Sequence, residues 1–262
     1  MRWLNFCFGA LASWTAQFAC AQTTTQVLDL PTRPGVTLRV LALTPANPKA
    51  AVILLAGGHG GLQIFPNGSM RWGENNFVVR TRELFADQGL TVAVVDAPSD
   101  RMRIPFLSGF RQSNEHAQDL KALISWLRLK AEIPVWLIGT SRGTESAASV
   151  GIKLQGTQGL GGMVLTSSIL VDPKGLPVPE MPVKSFQGPV LVVHHELDAC
   201  RVTLFSDLPK LTTQLNPNAP HEVITFQGGI SQGDACQAMA YHGYNGIESD
   251  VVNKIAKWVI SH

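Results

Sequence analysis

The sequence has 262 residues, 45% hydrophobic and 15% charged, with a formal net charge of +2. That supplies enough apolar material for one large core and does not demand a second domain. Near-neutral charge and the lack of any basic block argue against nucleic acid as the main partner.

The first stretch differs from the rest. Arg2 gives a positive start, residues 3–14 are mostly apolar, and Ala19-Cys20-Ala21 is a small-x-small cleavage pattern before Gln22. Residues 1–21 therefore read as an export signal peptide, too short and too interrupted by Thr15 and Gln17 for a stable membrane span. A lipid anchor on Cys20 and an apolar helix retained in the fold are the alternatives. Cleavage near Ala21 places the mature chain, 22–262, in the periplasm or outside the cell as a single domain. Cleavage also removes Cys7 and Cys20, leaving Cys200 and Cys236 as an even pair.

Residues 23–26 read as a mobile terminus. Residues 26–30 and 36–43 read as two strands joined by turn chemistry in Pro31-Thr32-Arg33-Pro34-Gly35. The apolar run 51–56 is a buried strand ending in Gly57-Gly58-His59-Gly60-Gly61. A helix is expected over 77–88, stopped by Gly89, then a strand over 90–95 closing on Asp96. Residues 99–112 form a loop carrying Arg101, Arg103, Phe106, Phe110 and Arg111. Ser113 caps a helix running to Lys130, with Leu120, Leu123, Ile124 and Leu127 on one face.

The apolar run 134–138 ends in Gly139-Thr140-Ser141-Arg142-Gly143, followed by helix-tolerant small residues. Strand, sharp turn and helix with a serine at the apex make a nucleophile elbow. The flanking glycines suit a turn too tight for a Cβ. Strands are then expected over 162–166, 189–194 and 222–226, a helix near 202–214, and a last helix over 247–261. Strands alternating with helices after an initial hairpin imply an α/β fold with a mostly parallel central sheet and helices on both faces. In such sheets, chemistry collects at the C-terminal strand ends.

A serine hydroxyl needs a base, and the base needs an acid to fix its tautomer. After Ser141, the favoured acid is Asp198, just beyond the strand 189–194, with Asp172 as the alternative. The base falls on His242, which lies between the last strand and the last helix. His221 precedes that strand and His262 is terminal.

With these residues in order, the chain resembles the α/β-hydrolase superfamily, in its compact serine-esterase or dienelactone-hydrolase-like form, over residues 26–262. The resemblance rests on Leu54-Leu55-Ala56-Gly57-Gly58-His59-Gly60-Gly61, the elbow, Asp198 and His242. It implies an oxyanion hole from the Arg142 N–H and a second N–H at Gly58 or its neighbour His59. It departs from the family where Ala56-Gly57 replaces a frequent His-Gly pair. Only about twenty residues separate the strands at 166 and 189. That leaves a minimal cap or none, with any lid drawn from 63–76, 99–112 or 172–187. Phe65, Trp72, Phe106 and Phe110 are candidate pocket residues, against ordinary loop packing. Arg101, Arg103 and Arg142 are candidates for holding a substrate carboxylate, against solvated surface charge.

His194-His195-Glu196 invites a metal reading, but adjacent strand residues face opposite sides, so no metal is expected. The reading is an exported serine hydrolase that cleaves a small-molecule carboxylic ester through an acyl-enzyme. It needs no cofactor. Peptidase or acyltransferase activity, or a non-catalytic binding protein of the same fold, are the rivals. Substrate chain length and oligomeric state are left open. Finally, Cys200 lies two residues after Asp198 and Cys236 six before His242. Their loops must meet if the acid is to reach the base, so a Cys200–Cys236 disulfide is expected.

Overall fold

The computed structural model describes residues 23–173 and 175–262. The export signal expected over 1–21 lies outside the described residues. The chain opens with β1 (Thr24–Arg33) and β2 (Val36–Thr44), then β3 (Ala50–Leu55) and two short helices, α1 (Phe77–Arg80) and α2 (Arg82–Asp87). There follow β4 (Leu90–Pro98), α3 (Asn114–Lys130), β5 (Val135–Thr140), α4 (Gly143–Leu154) and β6 (Leu160–Thr166). The last part holds β7 (Val190–His195), α5 (Pro209–Thr212), β8 (His221–Phe226) and α6 (Glu248–Ser261).

The strands form one sheet in the order β1-β2-β4-β3-β5-β6-β7-β8. β1 and β2 run antiparallel to their neighbours, and β3 to β8 are parallel throughout. Strand alternation splits the core in two. Ala51, Ile53 and Leu55 of β3 pack with α3 and α4 on one face, while Ala50, Val52 and Leu54 pack with α1, α2 and α6 on the other. The strand order reverses at β3, so the loops after β3 and β5 open a crevice at the C-terminal edge.

Four elements differ from expectation. Residues 24–25 are not a free terminus: β1 starts at Thr24, which pairs with Thr44. The strand also continues through Pro31, whose missing N–H is tolerated on this edge strand, so the turn shrinks to Pro34-Gly35. The helix expected over 77–88 is interrupted at Thr81, whose hydroxyl donates to the Phe77 carbonyl at 2.7 Å. The helix expected near 202–214 reduces to a 3₁₀ turn and α5, because Pro209 has no N–H to continue a helix through it. Ser113 does cap α3, its hydroxyl accepting from the His116 N–H at 3.0 Å.

Candidate active site

The elbow is built from backbone constraints. Ser141 has φ 52°, a left-handed conformation that costs a non-glycine residue about 1–3 kcal/mol. Its N–H donates to the Thr166 carbonyl at 3.0 Å, and its carbonyl accepts from the Thr144 hydroxyl at 2.6 Å. A Cβ on Gly143 would overlap the Leu55 carbonyl, and one on Gly139 would overlap Gly143. Ser141 thus stands at the N-terminus of α4, where the helix dipole favours negative charge.

Ser141 and His242 line the same cleft, of about 510 Å³, together with Gly58, Trp72, Asn76 and Ala238. Among the described residues, no hydrogen bond joins Ser141 to His242. His242 Nδ1 donates to Asp198 Oδ2 at 3.0 Å. That leaves Nε2 unprotonated in the neutral ring. The Asp198 carboxylate is fully buried, and it accepts from the Thr203 hydroxyl at 2.9 Å and the Cys200 N–H at 3.0 Å. The Thr203 hydroxyl also lies 3.1 Å from His242 Nδ1, so it buttresses both partners.

Asp172 sits elsewhere. It takes an ion pair from Arg142 at 2.7 Å, and Arg142 also contacts Glu145 at 3.0 Å. These residues border a separate cleft of about 420 Å³. The Arg142 side chain is therefore neutralised away from Ser141, while its backbone N–H stays at the elbow. Arg101 stacks over Phe110 at 4.6 Å, and Arg103 is exposed. None of the three arginine side chains lines the Ser141 cleft.

The loop after β3 presses close to the serine. A Cβ on Gly57 would come within 2.9 Å of the Ser141 Cβ, and Gly58 takes φ 55° with Trp72 packed against it. The Asp96 carboxylate fixes the loop by accepting N–H groups from Leu62, Gln63 and Ile64 at 2.7–3.0 Å. His59 does not line the cleft. Its ring lies between Trp72 and Phe106, at 3.9 and 4.5 Å, and burial lowers its pKa.

Of the four aromatic pocket candidates, only Trp72 lines the cleft. Phe106 and Phe110 pack with Ala97 and Leu107 into a small core of their own, and Phe65 is 47% exposed. One wall of the cleft comes from residues 70–77, which overlap the first candidate lid segment, 63–76.

β7 separates its two histidines as its alternation requires. His194 Nε2 donates to the Thr203 carbonyl at 2.8 Å, and burial lowers its pKa. His195 Nε2 donates to the Gly228 carbonyl at 2.9 Å, and the ring stacks on Tyr241 at 4.6 Å. The base loop is pinned further by Tyr244, whose hydroxyl donates to the Val193 carbonyl at 2.9 Å and accepts the Ser167 N–H at 3.1 Å. The Ser167 hydroxyl donates to the His242 carbonyl at 2.8 Å. Burial pushes the Tyr244 phenol up, so it stays a neutral donor.

The Cys200–Cys236 disulfide is present, with a Cα–Cα distance of 4.5 Å. It joins the Asp198 loop to the loop leading into His242.

Three comparisons bear on this geometry. No protein-family model matches the chain, and no curated protein matches it in sequence. Solved structures do match. The dienelactone hydrolase of Anabaena variabilis superposes with a TM-score of 0.66 at 14% identity, covering 92% of this chain and 99% of that one. The fold is that of the α/β-hydrolases. The esterase domain of a Rhodothermus marinus protein gives a TM-score of 0.60 at 14% identity, over 91% of this chain and 99% of that one. An esterase of Pyrococcus furiosus gives 0.58 at 16%, over 95% and 98%. Coverage near the full length of these structures shows no large insertion among the described residues.

Thr203, Ser167, Tyr244, Asn76 and Arg111 were not singled out by the sequence pattern as site residues. Thr203 lies five residues after Asp198 in a segment expected to be helical, which hid it. No spacing in the sequence marks the others: Ser167, Tyr244 and Arg111 bond partners distant in sequence, and Asn76 enters only as a residue bordering the cleft.

Proposed function

We propose that the protein is a serine hydrolase that cleaves small carboxylic esters through an acyl-enzyme. The observation that carries this reading is the Asp198–His242 hydrogen bond, with His242 and Ser141 lining one cleft. Ser141 attacks the ester carbonyl, and His242 Nε2 takes its proton and returns it to the leaving alcohol. Asp198 holds the imidazole tautomer and stabilises the imidazolium. The N–H groups of Arg142 and Gly58, with His59 as neighbour, receive the oxyanion, each worth roughly 3–4 kcal/mol in the transition state. Water then releases the acid by the same path in reverse.

Solved esterases and a dienelactone hydrolase with this fold support ester hydrolysis over the other acyl transfers. Export is part of the proposal: the leader-like residues 1–21 and the disulfide both fit an oxidising compartment. Among the described residues, no helix is long and apolar enough to cross a membrane.

The test is labelling by a fluorophosphonate, paired with turnover of short-chain p-nitrophenyl esters and matched anilides. The wild type is expected to label and to prefer esters. Ser141→Ala is expected to stay folded, lose labelling and lose ester turnover by several orders of magnitude. A folded Ser141→Ala protein that keeps wild-type turnover removes the serine from the chemistry. A wild type that neither labels nor turns over makes the fold a binding scaffold.

A further inference from the structure

Arg111 is a buried cation. It is 3% exposed, and no carboxylate lies within hydrogen-bonding distance of its guanidinium among the described residues. One terminal nitrogen donates to the carbonyls of Ala56 at 2.9 Å and Gly58 at 3.1 Å, with the Gly57 carbonyl at 3.4 Å. The other donates to the Ser146 hydroxyl on α4 at 2.9 Å. The Ser146 hydroxyl is in turn 3.0 Å from His116 Nε2. Gly60 makes room for the group: a Cβ there would come within 2.6 Å of it.

A trans peptide sets its C=O and N–H in opposite directions, and the peptides of 56–59 are trans. The Gly57 carbonyl shares a peptide with the Gly58 N–H, and the Gly58 carbonyl shares one with the His59 N–H. Drawing these carbonyls to a single guanidinium therefore turns the paired N–H groups away from it. Gly58 lines the Ser141 cleft, whereas Arg111 borders the separate cleft beside Arg142 and Glu145. On Gly58, which borders the serine cleft, the N–H is thus turned away from the Arg111 side.

We infer that Arg111 is a positioning residue: from behind the 56–58 segment it aims the Gly58 N–H into the Ser141 cleft and holds it there for the developing oxyanion. The inference rests on the serine-hydrolase reading above and adds to it the device that preorganises the hole. A carbonyl polarised by a cation also makes the N–H on the same peptide a stronger donor, as in any hydrogen-bonded chain. Burial lowers the guanidinium to about 10, which leaves it charged at neutral pH. A cation in this dry setting adds to the field that favours an oxyanion.

The experiment compares wild type, Arg111→Lys and Arg111→Met on a short p-nitrophenyl ester, with active sites counted by fluorophosphonate titration. A boronic acid that forms a tetrahedral adduct with the serine serves as transition-state probe. Arg111→Met is expected to lower kcat about 100-fold, the scale of a lost oxyanion donor, with KM within about twofold because ground-state binding does not use the hole. The boronate inhibition constant is expected to rise by the same factor as kcat/KM falls. Arg111→Lys is expected to lie between the two, since an ammonium cannot span the segment and Ser146 at once. Should Arg111→Met fail to fold, Ser146→Ala removes one anchor of the guanidinium and is expected to cost kcat about 3- to 10-fold at unchanged KM.

A folded Arg111→Met with kcat within threefold of wild type overturns the inference. So does a kcat loss not mirrored in boronate affinity, or, in Ser146→Ala, an effect confined to KM. If Ser141→Ala keeps wild-type turnover, the reading of the site falls and the inference falls with it. If Ser141→Ala is dead while Arg111→Met is normal, only the inference falls.

Discussion

Ser141 holds a φ of 52° in a turn pinned on both sides. Gly139 and Gly143 let the turn close against β3, and the Thr144 hydroxyl ties the serine carbonyl into the first turn of α4. The carboxylate that serves His242 is decided at the same scale. Asp198 makes its contacts with His242, Thr203 and the Cys200 N–H, while Asp172 holds Arg142. Asp198→Asn is therefore expected to cost about four orders of magnitude in kcat, by presenting the wrong imidazole tautomer. Thr203→Val removes one hydrogen bond to that carboxylate and is expected to cost about 10- to 100-fold. Asp172→Asn is expected to keep kcat within tenfold and to lower the thermal midpoint instead. Steady-state kinetics with a melt of each variant checks the ranking, and Asp172→Asn falling below Asp198→Asn would move the acid. Chain order and strand ends single out Ser141, Asp198 and His242 as the candidate triad from the sequence. They do not single out Thr203 and Arg111, because their roles depend on where two loops meet in space.

At the scale of elements, the parallel strands were legible from uninterrupted apolar runs, and α3 from its capping serine and apolar stripe. What the pattern did not carry was local competition. The Thr81 hydroxyl takes a helix carbonyl and divides α1 from α2, and Pro209 cuts short the helix before β8. The packing of α3 on α4 has a further consequence. His116, on α3, is 2% exposed, and burial together with the nearby Arg111 pushes it down to about 3. Arg33 and Lys153 act in the same direction. In the unfolded chain this histidine takes a proton near its ordinary value of about 6.5. The unfolded state thus binds more protons between about pH 6.5 and 3, and stability falls as pH drops through that window. One such group contributes a slope of up to about 1.4 kcal/mol per pH unit. Buried His194 titrates with the same sign. Urea midpoints from pH 7 to 4.5 are expected to decline in the wild type and to decline less steeply in His116→Gln. An unchanged slope in that variant would show that His116 is not held neutral by the fold.

For the whole molecule, the parallel sheet gathers the loops after β3, β5, β7 and β8 at one edge, and the disulfide ties two of them together. Cys200 is 1% exposed and its N–H bonds Asp198, while Cys236 borders the cleft near His242. The bridge closes a loop with a sequence separation of 36. In the chain-entropy model, a loop of that size stabilises the folded state by about 4 kcal/mol. For a domain of this length that corresponds to a thermal midpoint higher by on the order of 10 °C. The loop after β8 is exposed over residues 227–234 and is tied by hydrogen bonds, such as the Ile230 N–H to the Asn245 carbonyl, with no buried apolar side chain in that stretch. Reduction is therefore expected to loosen the path into His242 more than the elbow. Cys236→Ser, or the wild type held in a phosphine reductant, should melt earlier and lose kcat while Ser141 remains in place. Intact-mass measurement after alkylation without reductant should find neither Cys200 nor Cys236 modified in protein from an oxidising compartment. Two alkylated thiols in that material, or a Cys236→Ser variant that melts and turns over like the wild type, would leave the base loop held by its hydrogen bonds, those of Tyr244 and Ser167 among them.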